Sequence, residues 1–528
     1  MDRKIITITI FIFTLLLLSI AIVFGHKLEN RLSSIQISNT KWNDIISSRE
    51  ESEYDLIDGL KFNGYDLFKD KVNNKYYYSL VKNDRNTYNP MIRYISSING
   101  LSIASISEIT DMAVANNEEL QLIIYTDTKY QIVNVVCTSL PIMSINYNAA
   151  GIDNSEAIDM KLNLFDNRED IKEKNISING KIRYRGATSL TYPKKSYRMY
   201  MDDNISLLGM REDDDWILYS PYNDSEKIRN VFASNLWYEC CSKSNEFNVN
   251  NGYEYRYIEL IVNDEYYGLY ALGYHVDEKQ LGLLKDANGY YDEYLFKKQG
   301  WSYDETDVIK SNNIDSYELK NNVLNEKEAY EKLKQYYIDL LYRNDINLIK
   351  DQNDIKNSID TYLFFNFVQG VDNVGNTSIS NMYITFKKYN NGYKTIYTPW
   401  DLDQTFGNVW DESKKNLISQ YKNTVDSNIV MEINPMYIIY NLGDTNISDM
   451  VLKRYMELRN TYWSSESLTK IINEYENQIY NSGAFLRDEI RWPDGNYNKS
   501  EEKLNRFKNY VLERLKYMDT YMEETFSK

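Results

Sequence analysis

A chain of 528 residues, 43% of them hydrophobic, is long enough for a large core and roughly two to four domains. Its net charge of −17, from 60 basic and 77 acidic residues, argues against a nucleic-acid partner, which would need basic surface. Three cysteines, two of them adjacent, exclude a disulfide-held fold. The two histidines, His26 and His275, leave a Ser-His-Asp triad or a histidine-ligated zinc resting on His275 alone. A catalytic metal is therefore expected to have oxygen ligands, which favours Mg²⁺, Mn²⁺ or Ca²⁺.

The apolar run "IITITIFIFTLLLLSIAIVF", Ile5 to Phe24, would span about 30 Å as a helix, one hydrocarbon core. Its exit, "VFGHKLENR", lacks a small-x-small cleavage site, so residues 1–27 read as an uncleaved single-pass anchor rather than a removed signal. Flanking Arg3 and Lys4 are matched by Lys27 and Arg31, and the long C-terminal body is expected outside the cytoplasm. Residues 28–49 read as a juxtamembrane helix or linker. Residues 50–138, with "KYYYSLV", "QLIIYTD" and "QIVNVVC", read as a strand-rich accessory module.

From residue 139 a larger domain begins with the strands "LPIMSINYN", "AIDMKLNLFD", "NISINGKIRYRG" and "KKSYRMYM". "LLGMREDDDWILYSPYND" places Asp213 to Asp215 in a solvated loop before a buried Trp216 strand. "SEKIRNVFASNLWYECC" predicts a helix with Asp224 or Ser225 as N-cap. Two hairpins follow, one turning at Asn263-Asp264 and one at Asn390-Asn391-Gly392, with largely helical residues 325–370 between them. Helices continue from about Ser448 to the end. Strands followed by helices predict an α+β class rather than a doubly wound sheet.

Three stretches carry chemistry. In "RYRGATSLTYPKKSYRMYM", Gly186 with Ala187, Thr188 and Ser189 forms a small-residue loop whose amides suit phosphate oxygens. Lys195 and Arg198 follow on the next strand. Alone, this reads rather as an exposed hairpin with solvated charges, and it is not a Walker motif. In "GVDNVGNTSISNMYITF", Asp372 leaves an apolar helix and Asn381 enters a strand. That placement suits a base and an amide metal ligand, or simply an Asx-rich turn. In "TPWDLDQTFG", a continuing strand would put Asp401 and Asp403 on one face, where two like charges among Trp400, Leu402 and Phe406 call for a divalent cation. His275, after a hairpin strand, reads as structural.

Together "KIRYRGATSLTYPKKSYRMYM", "LLGMREDDDWILYSPYNDSEKIRNVFASNLW", "YIELIVNDEYYGLYAL", "VDNVGNTSISNMYITF" and "IYTPWDLDQTFG" resemble the CotH kinase family, the spore-coat protein H-like atypical protein kinases. The resemblance runs from about Leu140 to the C-terminus (residues 139–528). It implies a divergent protein-kinase-like fold that uses ATP with Mg²⁺ (or Mn²⁺) to phosphorylate Ser or Thr of a surface or spore-coat-type protein. By the same resemblance Lys195 engages the α- and β-phosphates with Arg198, Arg185 and Gly186 as helpers. Asp372 is the catalytic aspartate, Asn381 and Asp401 hold the metal, and Asp403 is a second ligand or orienter. Ala187 and Tyr274 depart from the family's usual Asn and acidic residue. Two other readings compete: a non-catalytic adhesion or assembly protein on a kinase-like scaffold, and a D-x-D glycosyltransferase, against which the missing βαβ alternation counts.

Overall fold

The computed structural model describes residues 30–299, 316–375, 378–408, 429, 431–493 and 500–527. The expected anchor over residues 1–27 lies outside the described residues, and among them no helix is long and apolar enough to cross a membrane. The protein is of mixed α+β class. It divides into two compact units, residues 1–182 with 257–269 and 477–493, and residues 183–256 with 270–476 and 494–528.

The first unit is built on strands. Residues Asn39–Ser47 form a helix capped by Ser38, within the stretch expected to be a helix or linker. The expected strands appear at Lys75–Ser79, Glu119–Tyr125 and Lys129–Thr138. The last is central, parallel to Lys75–Ser79 and antiparallel to Glu119–Tyr125. Their alternating apolar residues, Leu122, Ile124, Val133 and Val135, point into one core with Leu60, Phe62 and Ile92. A meander of Ile142–Tyr147, Ile158–Phe165 and Asn175–Arg185 follows. The first hairpin turns as expected, with Asn263 (φ 50°) and Asp264 (φ 61°) both left-handed, the geometry that matches strand twist in a two-residue turn.

The second unit carries the candidate site. Strand β1 (Ser196–Ser206) pairs antiparallel with β2 (Glu212–Tyr219). The Asp213–Asp215 run lies within β2, which corrects its assignment to a solvated loop. Each carboxylate meets a cation there: Asp213 and Asp277 share Arg211, Asp214 meets Lys279 and Asp215 meets Arg198. Asp213 itself is buried, and burial pushes its carboxyl up to about 6 against the pull of Arg211.

Helix α1 (Arg229–Cys240) has Ile228 at its N-cap rather than Asp224 or Ser225. Asp224 still serves the helix start, because its carboxylate accepts the backbone N–H of Ile228 at 2.7 Å and of Arg229 at 2.6 Å. A four-stranded antiparallel sheet has β3 (Tyr294–Lys298) between β4 (Tyr317–Leu319) and β5 (Met382–Tyr389), with β6 (Gly392–Pro399) at the far edge. The β5–β6 hairpin turns at Asn390 (φ 51°) and Asn391, as the sequence predicts.

Residues 325–370 are helical in three pieces, Glu326–Tyr342, Ile346–Gln352 and Ile355–Val368. The last, α2, is buried at every residue except Lys356, so apolar side chains surround it instead of forming one stripe. Asn357 of α2 and Tyr397 of β6 exchange hydrogen bonds, Tyr397 N–H to Asn357 Oδ1 at 2.7 Å and Asn357 Nδ2 to the Tyr397 carbonyl at 3.0 Å. The terminal helix α3 (Ser500–Phe526) sends the buried Arg514 to the Asn366 carbonyl at 2.9 Å, satisfying a backbone acceptor in the last turn of α2. Helix and sheet therefore present one set of loop ends.

Candidate functional site

At the end of α2, Gln369 turns left-handed (φ 52°) and releases the chain into Gly370-Val371-Asp372. Asn381, also left-handed (φ 45°), precedes β5, and its Nδ2 donates to the Asp372 Oδ2 at 2.9 Å and to the Asp372 carbonyl at 3.2 Å. The buried Asn373 donates through Nδ2 to the carbonyls of Trp400 at 2.7 Å and Asn381 at 3.1 Å. One amide thus ties together the helix exit, the start of β5 and the end of β6.

The second acidic segment is not strand. Strand β6 ends at Pro399 and Asp401 is left-handed (φ 56°), so the pleat does not set Asp401 and Asp403 on a shared face as expected. A network of side chains fixes the loop instead. Asp401 N–H donates to the Tyr253 hydroxyl at 3.1 Å, and Leu402 N–H to Asn230 Oδ1 of α1 at 3.0 Å. Phe406 N–H donates to the Val368 carbonyl at 2.7 Å. Phe406 is itself left-handed (φ 46°), an uncommon state for a bulky residue, and rings of Phe232, Phe367 and Phe507 lie 5.4–5.6 Å away or against one another to hold it.

Asp403 accepts a hydrogen bond from Asn223 Nδ2 at 2.5 Å. Burial, then the charge of Asp401 and more weakly that of Asp372, hold its carboxyl well above the usual carboxylate range, against the opposing bonds from Asn223 and Gln404. Among the described residues no group of three or more His, Cys, Asp or Glu side chains forms a ready metal cage. The donor set still fits Mg²⁺, which takes one or two carboxylates and completes its octahedron with water and phosphate oxygens. Asp401 and Asp403 would supply the carboxylates, and Asn381 keeps its amide oxygen while its nitrogen is committed to Asp372.

Cations lie close to Trp400. The Arg185 guanidinium lies 5.9 Å from the indole and the Lys297 ammonium 5.4 Å from it, with Lys297 also 5.9 Å from the Tyr383 ring. His275 stacks on the same indole at 5.3 Å and 18°, is half-buried with its Nε2 enclosed and unbonded, and is held neutral by desolvation and by Arg198, Arg185 and Lys297. Its structural assignment agrees with this geometry.

The family described as CotH kinase protein matches residues 182–518. The chain belongs to the CotH kinase family. Every site residue expected from the sequence, from Arg185 to Asp403, falls inside the matched region. No curated protein matches the chain.

Within this CotH chain the structure draws the expected residues into two groups. Asp372, Asn381, Asp401 and Asp403 come together, and Arg185 reaches Trp400 beside them. Lys195 does not join them. Its ammonium donates to the carbonyls of Leu190 at 2.6 Å and Tyr192 at 2.5 Å, closing the loop on itself. Gly186 opens that loop with φ 116°, and a Cβ there would fall 1.8 Å from the Ser189 hydroxyl, so only glycine fits. Arg198 is paired with Asp215, Nε to Oδ1 at 2.8 Å, and lies over the Tyr200 ring.

Sequence reasoning missed Lys297, Asn373 and Asn223. The signal for Lys297 was present as a lysine inside the short apolar strand "YLFKK", where successive side chains face opposite ways. Its neighbour Lys298 is satisfied by Ser316 at 2.6 Å, whereas Lys297 makes no ion pair among the described residues.

Proposed function

We propose that this CotH family member is an ATP- and Mg²⁺-dependent protein kinase of kinase-like fold, transferring phosphate to Ser or Thr of a surface or coat-type protein. The observation that carries it is the gathering of Asp372, Asn381, Asp401 and Asp403 near Arg185 and Lys297, which make no ion pair among the described residues. Phosphoryl transfer needs positioning and charge stabilisation more than covalent chemistry, and this set supplies both without histidine or cysteine.

Asp372 orients the acceptor hydroxyl and takes its proton as the oxygen bonds to the γ-phosphorus and the β–γ bridge breaks, releasing ADP. Asn381 holds the Asp372 carboxylate in place through its amide nitrogen. Asp401, Asp403 and the Asn381 amide oxygen would hold Mg²⁺, which when bound would neutralise charge on the phosphate oxygens. Arg185 and the Gly186 loop cover the phosphates, and Lys195, bonded to the carbonyls of Leu190 and Tyr192, keeps that loop in shape. Arg198, neutralised by Asp215, supports the same wall. The apolar run Ile5 to Phe24 anchors the protein in a membrane with its body on the extracytoplasmic side.

The test is transfer of labelled γ-phosphate from ATP to the protein itself or to a serine-rich protein. Wild type should transfer in Mg²⁺, and Asp372→Ala should abolish transfer while retaining the fold and nucleotide binding. Unchanged transfer by that variant removes the role given to Asp372. A wild type that shows no ATP-dependent thermal shift in Mg²⁺ removes the kinase reading and leaves the non-catalytic scaffold.

A further inference from the structure

We infer that the ammonium that grips the phosphate chain of the nucleotide is Lys297 of β3, acting with Arg185 across the Trp400 indole, and that Lys195 is a loop-holding residue. This rests on the kinase reading and deepens it by naming the anion-binding group.

Four cations act on His275, namely Arg185, Arg198, Lys297 and Lys320, and two of them, Arg185 and Lys297, also lie near the Trp400 indole. Two are already neutralised, Arg198 by Asp215 and Lys320 by Glu318 at 2.7 Å. Among the described residues Lys297 and Arg185 make no ion pair, and both lie over the indole of the residue that immediately precedes Asp401. Strand register places Lys297 opposite Tyr383 of β5 and Glu318 of β4, in the middle of the sheet, so its backbone is fixed on both sides. An unpaired, partly desolvated lysine is unfavourable unless an anion completes it.

The surroundings also say what kind of anion fits. Asp401 acts on Lys297, and Asp401, Asp403 and Asp372 act on one another as like charges that a divalent cation would offset. A ligand that presents anionic oxygens to Lys297 and Arg185 while sharing a cation with Asp401 and Asp403 satisfies both walls at once. A metal-chelated di- or triphosphate has that character, and a single carboxylate or sulfate does not. Burial and the charge of Arg185 lower the Lys297 ammonium to about 8, so it remains charged at neutral pH and available to an anion. Lys195, by contrast, would have to give up both carbonyl bonds before it could serve.

The experiment is titration calorimetry of the full chain with MgATP, magnesium tripolyphosphate and uncharged adenosine, for wild type, Lys297→Met, Lys297→Arg and Lys195→Met. Loss of one charge-assisted contact predicts MgATP binding weakened about 10- to 100-fold in Lys297→Met. Lys297→Arg should recover most of the affinity, and Lys195→Met should lose less affinity than Lys297→Met, since its ammonium bonds the loop and not the ligand. Adenosine binding should be unchanged by Lys297→Met, which a general loss of structure would not allow. Equal MgATP affinity of Lys297→Met and wild type, or a larger loss in Lys195→Met, overturns the inference and leaves the kinase reading standing. If wild type binds no MgATP, the kinase reading falls. Lys297-dependent binding of tripolyphosphate would then sustain the anion site alone, and binding of neither ligand overturns both.

Discussion

Replacing Lys297 by Met should stabilise the ligand-free protein. The ammonium is lowered from the ordinary 10.5 to about 8, chiefly by burial and then by Arg185, with Asp401 only partly offsetting. At about 1.4 kcal/mol per pH unit this amounts to about 3 kcal/mol held against the charged form, which residual exposure to solvent reduces to about 2 kcal/mol. The sign follows from a base whose folded value lies below its unfolded one. The unfolded chain binds the proton more tightly, so the penalty is full below about pH 8, fades between about 8 and 10.5, and is absent above. Methionine keeps the aliphatic volume over Trp400 and Tyr383 and removes the charge. The midpoint of thermal unfolding at pH 7 should therefore rise by roughly 2 °C, and the gain should shrink when the comparison is repeated at pH 9.5. Differential scanning calorimetry at the two pH values is the assay. A variant that is less stable than wild type, by the same amount at both pH values, refutes the reasoning, because Lys297 would then contribute by packing rather than carry an unmet charge.

Asp403→Asn should likewise stabilise the metal-free protein and blunt the stabilisation that added Mg²⁺ gives wild type. For an acid whose folded value is raised, the penalty grows as pH rises through that value, so the advantage of the variant should be larger at pH 8 than at pH 5 in thermal melts. Asn373→Ala should destabilise by about 2–4 kcal/mol in denaturant titrations, since it strands the carbonyls of Trp400 and Asn381 in a buried setting. In the first unit, Arg487→Ala leaves the buried Glu259 carboxylate without its ion-pair partner, and a loss of about 3–5 kcal/mol is expected from the same titration. Asp372→Ala should keep MgATP affinity within about threefold while abolishing γ-phosphate transfer, measured by calorimetry and by label incorporation.

Much of the framework could be read from local pattern. Alternation marked Glu119–Tyr125 and Lys129–Thr138, and Asn263-Asp264 and Asn390-Asn391 marked their hairpin turns because these residues tolerate left-handed backbone. The motif residues Asp372, Asn381, Asp401 and Asp403 were legible as a group. How they meet was not. Pattern reasoning extended β6 through Asp401, whereas the left-handed turn there is imposed by Tyr253 and Asn230, residues far away in sequence. The Asp213–Asp215 run looked solvated because the cations that neutralise it, Arg198, Arg211 and Lys279, come from other segments. Lysine on a strand after a small-residue loop suggested Lys195, and only the carbonyls of Leu190 and Tyr192 reveal that its donors are spent. Lys297 escaped notice because nothing beside it in sequence is acidic or glycine-rich; its importance arises from Trp400 and Arg185.

The amide of Asn373 makes the proton acceptor and the cation-holding loop a single mechanical part, since the same nitrogen bonds the backbone on both sides of the gap between them. Shifting Asp401 drags Asn381, and through it Asp372. An altered acceptor specificity is therefore more readily engineered in segments outside this knot than by lengthening the turn at residues 370–373 or the loop at 400–408, where one inserted residue would misalign donor and acceptor chemistry together.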